Sequence, residues 1–239
     1  TVLFSSTYQQ TSAASEPQVA QDPANRFLTR GPRFRMPAEM IRDQALAASG
    51  LLMERLGGPS VKPYQPADLW KELATDTLYQ QSHGGDLFRR GIYTYWKRTV
   101  APPNLITFDA ATRETCVVRE SRTNTPLQAL TLLNEITFVE SARNLAQQAM
   151  RSDGTSVSER ITIAFRRLLT RSPSADELRV LVEGWHAHHH RFCDDPAAAR
   201  AFVEIGESPV DTALDVMELA AYTATCSVLL SLDEAVTRN

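Results

Sequence analysis

Apolar residues recur every three or four positions through most of the second half of the chain. After Pro126, one such stripe is formed by Leu132, Ile136, Val139, Ala142, Ala146 and Met150. This spacing places the side chains on one face of a helix. Asn134 interrupts the stripe and predicts a break between two consecutive helices.

Three capping boxes indicate where helices begin. The pairs are Thr125 with Gln128, Ser156 with Glu159, and Ser174 with Glu177. The second and third boxes open two amphipathic helices separated by the short turn "TRSP", which predicts an αα-hairpin. The final helix, over residues 212–232, is apolar on nearly every side, so we expect it to be the most deeply buried.

The first half of the chain combines one clear helix with long irregular segments. The stretch "MPAEMIRDQALAASGLLMERLGG" has apolar residues at helical spacing, and Gly57 and Gly58 predict its end. Three prolines punctuate residues 59–86, which predicts a long loop, with a short helix over residues 67–74.

Two short runs are rich in residues that favour strands. The first is "GIYTYWKRT", which begins at Gly91, and the second is "ETCVVRE", over residues 114–120. Their aromatic and β-branched content and their shortness predict strands rather than helices. We expect the two runs to pair as a small antiparallel ribbon.

These elements predict a mainly α-helical fold, an irregular helical domain with long ordered loops and a small two-stranded antiparallel ribbon. Residues 1–150 would form a loop-rich helical core, and residues 151–239 the C-terminal helices, packed with the first part as one domain. Of the 239 residues, 43% are hydrophobic and 22% charged, as in an ordinary folded protein. The net charge of −3 argues against a nucleic-acid binder. No apolar run approaches the ~18 residues of a membrane span.

The opening residues "TVLFSSTYQQ" have the pattern of the last turns of a helix whose start is missing. We therefore expect the chain to be a piece of a longer protein. Leu3, Phe4 and Tyr8 would then need a partner segment, and without it they should be exposed as an apolar patch.

Several stretches resemble a known family. They are "DPANRFLTRGPRFRMPAEMIRDQAL", "FRRGIYTYWKRTVAPPNLITFDAATRETCVVRESRTNTPLQALTLLN", "FVESARNLA" and "LLSLDEAVTRN". In this order they are similar to the planctomycete-specific domain one, a C-terminal domain of unknown function in large exported planctomycete proteins. The block from Tyr93 to Asn134 is the most specific part of the resemblance. The resemblance implies that the N-terminal part of the domain lies outside this chain.

The resemblance implies a cellular setting but no chemistry. Relatives commonly carry a cytochrome-c-like haem domain upstream, and some carry a carbohydrate-binding module. The chain would then be exported, periplasmic or in the cell envelope, with its own upstream domain as partner and polysaccharide as a further candidate partner. We expect no cofactor in this chain, because it lacks the C-x-x-C-H motif that attaches haem. The family has no established catalytic residue to carry over.

The family block also holds the candidate binding residues. They are Trp96, Lys97, Arg98, Asp109, Arg113, Glu114, Arg119, Arg122 and Asn124. Arginines beside a helix start can clamp a carboxylate or phosphate. Alternatively, they pair internally with Asp109, Glu114 or Glu120, and this structural interpretation is favoured because buried polar groups usually satisfy each other.

A second polar stripe runs along the predicted helix "EGWHAHHHRFCDD". His186 and His190 have the i, i+4 spacing of metal ligands, and Cys193 follows one turn later. The Glu that follows the first His in a zinc-protease motif is absent. We therefore expect half-exposed polar residues and no metal site, with these three as the candidates if one exists. The disulfide state of Cys116, Cys193 and Cys226 stays open.

Two functional hypotheses from different classes follow. The leading one is a structural or interaction module that packs against its upstream domain. The alternative is part of an enzyme that binds or acts on polysaccharide, with Asp109 and Glu114 as an acid–base pair and Trp96 stacking on sugar.

Overall fold

The structure is a computed structural model that describes residues 1–66, 69–70, 78–97, 99–118 and 121–238. The fold is mainly α-helical, as predicted. The helices are α1 (Glu16–Gln21), α2 (Ala38–Ala48), α3 (Pro103–Thr107), α4 (Pro126–Asn134), α5 (Ile136–Met150), α6 (Val157–Leu169), α7 (Ala175–Asp194), α8 (Pro196–Val203), α9 (Val216–Leu230) and α10 (Asp233–Val236). Short 3₁₀ turns cover Val2–Phe4, Gly84–Phe88 and Gly91–Tyr93. None of the helices described is both long and apolar enough to cross a membrane.

Helices α5 and α9 form the centre of the protein, and α2, α6, α7 and α8 pack around them. Helix α9 is buried on several sides, as its all-round apolar sequence predicts, and Leu219, Tyr222 and Leu229 are almost fully enclosed. The main hydrophobic core draws on residues from both 1–150 and 151–239. A smaller cluster of Leu46, Tyr64 and neighbouring residues lies under the loops that follow α2.

The capping signals are confirmed where the sequence placed them. The boxes of Thr125, Ser156 and Ser174 open α4, α6 and α7, and α6 packs against α7 as a hairpin. The predicted interruption is also present, because Glu135 separates α4 from α5 with an extended backbone.

Helix α2 is shorter than its apolar spacing predicts. It ends at Ala48, and Gly50, with φ of +69°, turns the chain well before Gly57. A left-handed residue favours glycine, so Gly50 and not Gly57 ends the helix. The predicted short helix over residues 67–74 falls largely on residues outside those described.

The small antiparallel ribbon exists, but its predicted location is wrong. It pairs β1 (Phe34–Arg35) with β2 (Thr237–Arg238), close to the two ends of the chain. The 3₁₀ turn Gly91–Tyr93 replaces the first predicted strand, and the described part of the second, residues 114–118, is an exposed bend. Strand propensity reports packing on a half-buried surface, which the exposed Val118 lacks.

Three buried arginines hold the irregular segments against the helices. Arg42 donates to the carbonyls of Arg89 and Leu87 at 2.7 and 2.6 Å. Arg89, itself fully buried, donates to the carbonyls of Pro59, Arg55 and Gly57. Loop carbonyls lack the hydrogen-bond donors that a helix or sheet supplies. Each guanidinium group donates to several of these carbonyls at once.

The third arginine organises the loop between α8 and α9. Arg143 of α5 donates to the carbonyls of Val203 and Ile205 at 2.6 and 2.8 Å, and to that of Ser208 at 2.6 Å. Its neighbour Glu140 accepts the Ser208 N–H at 2.5 Å. The two charged side chains, 3.6 Å apart, are almost completely buried together.

Gly206 allows this loop to approach Glu140, which gives a stability prediction. Its φ is +94°, and a Cβ there would lie 2.3 Å from the Glu140 carboxyl carbon. We expect Gly206→Ala to lower the free energy of unfolding by about 2 kcal/mol or more, since overpacking and a strained backbone add. Urea unfolding followed by circular dichroism measures the change.

Gly184→Ala is the matched control. Gly184 lies within α7 with no atom near its added Cβ. The same substitution should there be neutral or stabilise by up to about 1 kcal/mol, because alanine favours helix. Equal losses for both variants would contradict the role given to Gly206.

Candidate functional site: an arginine-lined pocket

Asp109 is the centre of a polar clamp that joins three distant segments. It follows α3 in a left-handed conformation, φ +64°. Its carboxylate accepts the Thr123 N–H at 2.6 Å and the Thr123 hydroxyl at 3.0 Å. Arg35 of β1 donates to the same carboxylate, and both side chains of this ion pair are largely buried, 12% and 16% exposed. The clamp therefore ties β1 and the segment before α4 to the end of α3.

Gln128 extends this clamp into α4. Its amide oxygen accepts the Thr125 N–H at 3.1 Å and a bond from Arg35. Its amide nitrogen donates to the Thr107 carbonyl at 2.9 Å and to the Thr123 hydroxyl at 3.1 Å. Helix capping and the clamp thus share one side chain, and Thr123, Thr125 and Gln128 are accounted for as structural residues.

The bonds of the clamp set the ionisation of Asp109. Burial by itself would raise the pKa of this carboxyl group. The N–H and hydroxyl of Thr123, together with the guanidinium of Arg35, outweigh burial and hold the pKa below its ordinary value. Asp109 is therefore an ionised anchor near neutral pH, which does not suit a general acid.

The other candidates around Trp96 form a separate cluster. The Trp96 indole donates to the Thr112 carbonyl at 3.1 Å, and the Arg113 guanidinium lies 4.4 Å from the ring centroid. The Lys97 ammonium group is 4.6 Å from the centroid of Trp70. Arginine thus covers one face of the Trp96 ring, whose remaining surface packs partly against the core.

The remaining candidates are not brought to one place. Glu114 is exposed, and within the described part of the chain no hydrogen bond joins its carboxylate to Asp109. Arg98 and Arg119 are outside the described residues. Arg122 and Asn124 lie on the far side of the clamp, where they line a pocket.

We call this cavity, of about 870 Å³, the arginine pocket. It lies between the ribbon, the loop that precedes β1 and residues 122–124. Its arginines are Arg30, Arg33, Arg35 and Arg122, and its other lining residues include Leu28, Phe34, Asn124 and Asp233. The Arg122 guanidinium lies 4.3 Å from the Phe34 ring centroid.

Sequence reasoning missed three of the four arginines in this pocket. Arg30, Arg33 and Arg35 fall within the six residues "RGPRFR", directly before α2. That density of arginine around a proline and an aromatic residue was the available signal. Their convergence with Arg122 depends on the ribbon, which pairs Phe34 with Arg238. Local sequence patterns cannot predict a pairing between residues so far apart in the chain.

The histidine stripe on α7 makes contacts within its own helix. His190 pairs with Asp194 at 3.1 Å, and the Cys193 sulfur lies 3.8 Å from His189. His189 stacks on Trp185, with the ring centroids 4.9 Å apart. Among the residues that the structure describes, no three side chains of His, Cys, Asp or Glu converge as metal ligands.

A second concavity, of about 690 Å³, lies along the outer face of α4. Leu127, Leu130 and Ile136 give it an apolar wall, and Tyr64 and Glu135 supply polar groups. It adjoins Pro66, next to residues outside those described, so the arginine pocket is the better defined of the two.

The clamp predicts a pH-dependent contribution to stability. Asp109→Asn should lower the free energy of unfolding by about 2 kcal/mol at neutral pH, since charge-assisted hydrogen bonds are lost. Because the folded pKa of Asp109 is lowered, its contribution is present above the unfolded value of ~4 and is lost as pH falls through the folded pKa. Urea unfolding at a series of pH values should show the two proteins converge in acid.

Glu114→Gln is the control for this measurement. Glu114 is exposed and outside the clamp, so its loss should change stability by less than about 0.5 kcal/mol at any of these pH values. If the free energies of unfolding of wild type and Asp109→Asn differ by the same amount at every pH, the role given to the clamp is contradicted.

Comparison with known proteins gives one match. The family model described as PSD1, protein of unknown function (DUF1553), matches residues 1–185. No curated protein and no solved structure matches the chain. The match covers well over half of the sequence and includes the clamp and the arginine pocket up to residue 124. The chain belongs to the PSD1 family, proteins of unknown function (DUF1553).

Proposed function

We propose that this chain is a non-catalytic structural and interaction module that packs against another domain of its parent protein. The observation that carries the proposal is the state of Asp109. The Asp109 carboxylate accepts bonds from Arg35 and Thr123, which supports a scaffolding role for this part of the family block. We further propose that residues 1–150 and 151–239 act as one domain, because the main core draws on both.

Exposed apolar side chains near the N-terminus support an interaction role. Leu3, Phe4 and Tyr8 are exposed, as the sequence predicts, and Phe4 is 83% exposed. Phe27 and Leu28 are also exposed, at 79% and 57%. Large apolar side chains grouped on a surface are typical of a region that a protein partner covers.

The setting that we propose rests on the resemblance to the planctomycete-specific domain one. The parent would be an exported, multidomain planctomycete protein of the periplasm or cell envelope, with a cytochrome-c-like haem domain upstream. The haem would belong to that domain, because this chain has no C-x-x-C-H motif. A haem absorption band in the purified intact parent tests this setting, and a parent without haem contradicts it.

The alternative function, part of an enzyme that binds or acts on polysaccharide, has less support. It needs a free acid–base pair and an accessible aromatic platform. Asp109 is held ionised in the clamp, and Arg113 covers one face of Trp96. Neither arrangement favours glycosidic chemistry, in which a proton donor with a raised pKa is required.

The interaction role predicts protection of the N-terminal surface in the intact parent. Amide hydrogen exchange of residues 2–9 and 26–28 should be slower by about tenfold or more in the parent than in this chain alone. Residues 179–183 of α7 serve as the control, because they lie elsewhere and should exchange equally in both. Equal exchange of residues 2–9 in both proteins would overturn the proposal.

A further inference from the structure

The arginine pocket is a concentration of positive charge on an acidic protein. Four arginines line it, and Asp233 is the lining carboxylate, while the chain as a whole has a net charge of −3. Arg33 pairs with Asp233, and Arg35 is engaged with Asp109 behind the wall. Among the described residues, no carboxylate forms an ion pair with Arg30 or Arg122. The pocket therefore has the electrostatic character of an anion site.

Arg30 is anchored at the wall of the pocket by one of its two terminal nitrogens. Its Nη2 donates to the Pro23 carbonyl at 2.9 Å. Its Nη1 is enclosed and has no hydrogen-bond partner within the described residues. The Nε atoms of Arg35, Arg42, Arg89 and Arg143 are enclosed in the same way, so the case for an anion at Arg30 rests on its place in the lining of the pocket.

The loop that carries Arg30 is held in shape before any ligand arrives. The Asp22 carboxylate accepts the N–H groups of Arg26 and Phe27, both at 2.8 Å. The Asn25 amide donates to the Arg30 carbonyl at 2.7 Å. A preorganised loop loses little entropy on binding, which favours affinity.

The same loop presents apolar side chains to solvent beside the charge. Leu28 lines the pocket, and Phe27 next to it is one of the most exposed aromatic residues described. We call these two residues the apolar rim. On the opposite wall, Arg122 stacks over Phe34. Arginine and aromatic side chains together are the composition of protein–protein hot spots.

We propose that the arginine pocket and its apolar rim bind an acidic polypeptide segment in which carboxylate side chains alternate with aromatic or aliphatic ones. The carboxylates would pair with Arg30 and Arg122, and the apolar side chains would cover Phe27 and Leu28. This rests on the proposed interaction role and names the chemistry of the partner at one site. A small anion would satisfy the guanidinium groups but would leave the apolar rim in water.

Binding of a defined peptide to the 239-residue chain tests the proposal. The probe is a fluorescein-labelled peptide that alternates Glu with Phe and Leu, and the comparison peptide replaces Phe and Leu by Ser at the same charge. Fluorescence anisotropy should show saturable binding of the first peptide and weaker binding of the second. Binding should weaken as salt is raised from about 0.1 M to about 1 M, because exposed charges are screened.

Two variants separate charge from apolar contact. Arg122→Glu should weaken binding of the alternating peptide by at least about tenfold, since an attractive charge becomes repulsive. Phe27→Ser should weaken binding of the alternating peptide and leave the affinity for the Ser-containing peptide unchanged. Both residues are exposed, so the variants should fold, which far-ultraviolet circular dichroism checks.

Arg179→Glu is the matched control for charge. Arg179 is exposed on α7, where it pairs with Asp176 and Glu183, away from the pocket. This variant has the same net charge as Arg122→Glu and should bind the peptide within about twofold of wild type. An equal loss in both variants would overturn the site, because general charge would then explain binding.

Other ligands give outcomes that also decide the matter. Citrate could compete with the peptide at equal affinity while Phe27→Ser leaves peptide binding unchanged. That result would show a site for small anions and overturn the proposal. Polygalacturonate that binds more tightly than the peptide would overturn it in favour of an acidic polysaccharide. Absence of peptide binding would overturn it as well.

The result can be distinguished from failure of the proposed function. In the intact parent, hydrogen exchange of residues 2–9 reports whether the N-terminal surface is covered. If that protection persists while the arginine pocket binds no acidic peptide, the interaction role stands and this inference fails. If the protection is absent while the peptide binds as expected, the proposed peptide site is supported and the proposed packing against another domain of the parent is wrong.

Discussion

Hydrogen bonding from buried guanidinium groups to loop carbonyls is the interaction on which the rest of the structure depends. The protein surrounds a compact set of helices with long segments that have little regular structure, and the carbonyls of those segments need donors. Arg42, Arg89 and Arg143 supply them, each to two or more carbonyls. An arginine can do so because its five donors are fixed in one plane, whereas a lysine offers a single point of charge.

The same chemistry accounts for much of the polarity of the family block. Arg35 donates to Asp109, to Gln128 and to the carbonyl of Thr123, so one guanidinium closes the junction of the ribbon with α4. Burying an ion pair is costly unless further hydrogen bonds complete it. Thr123 and Gln128 provide those bonds here, so these four polar residues are a structural requirement of the junction.

Local signals in the sequence predict the helices well and the polar junctions poorly. Capping boxes and apolar spacing act within a few residues, so the starts of α4, α6 and α7 could be read directly. Arg42 and Arg143 stand among apolar positions of α2 and α5, which indicates burial but not the carbonyls that they meet. The ribbon joins Phe34 to Arg238, and no local pattern specifies such a pairing. The arginine pocket depends on that ribbon, so the sequence pointed to Arg122 and Asn124 but not to the other arginines of the pocket.

Arginine thus has two distinct uses in this protein, and the contrast between them indicates where a partner is needed. At Arg89 and Arg143 the carbonyls of the chain itself surround the guanidinium, and the charge is enclosed within the fold. Arg30 and Arg122 line a cavity that Leu28 borders, and the exposed Phe27 is the next residue in the chain. At the interior sites both terminal nitrogens of each guanidinium donate to carbonyls of the chain, whereas at Arg30 one of the two does so. Acceptors from another polypeptide would complete the pocket in the same way that loop carbonyls complete the interior sites, with carboxylates replacing carbonyls.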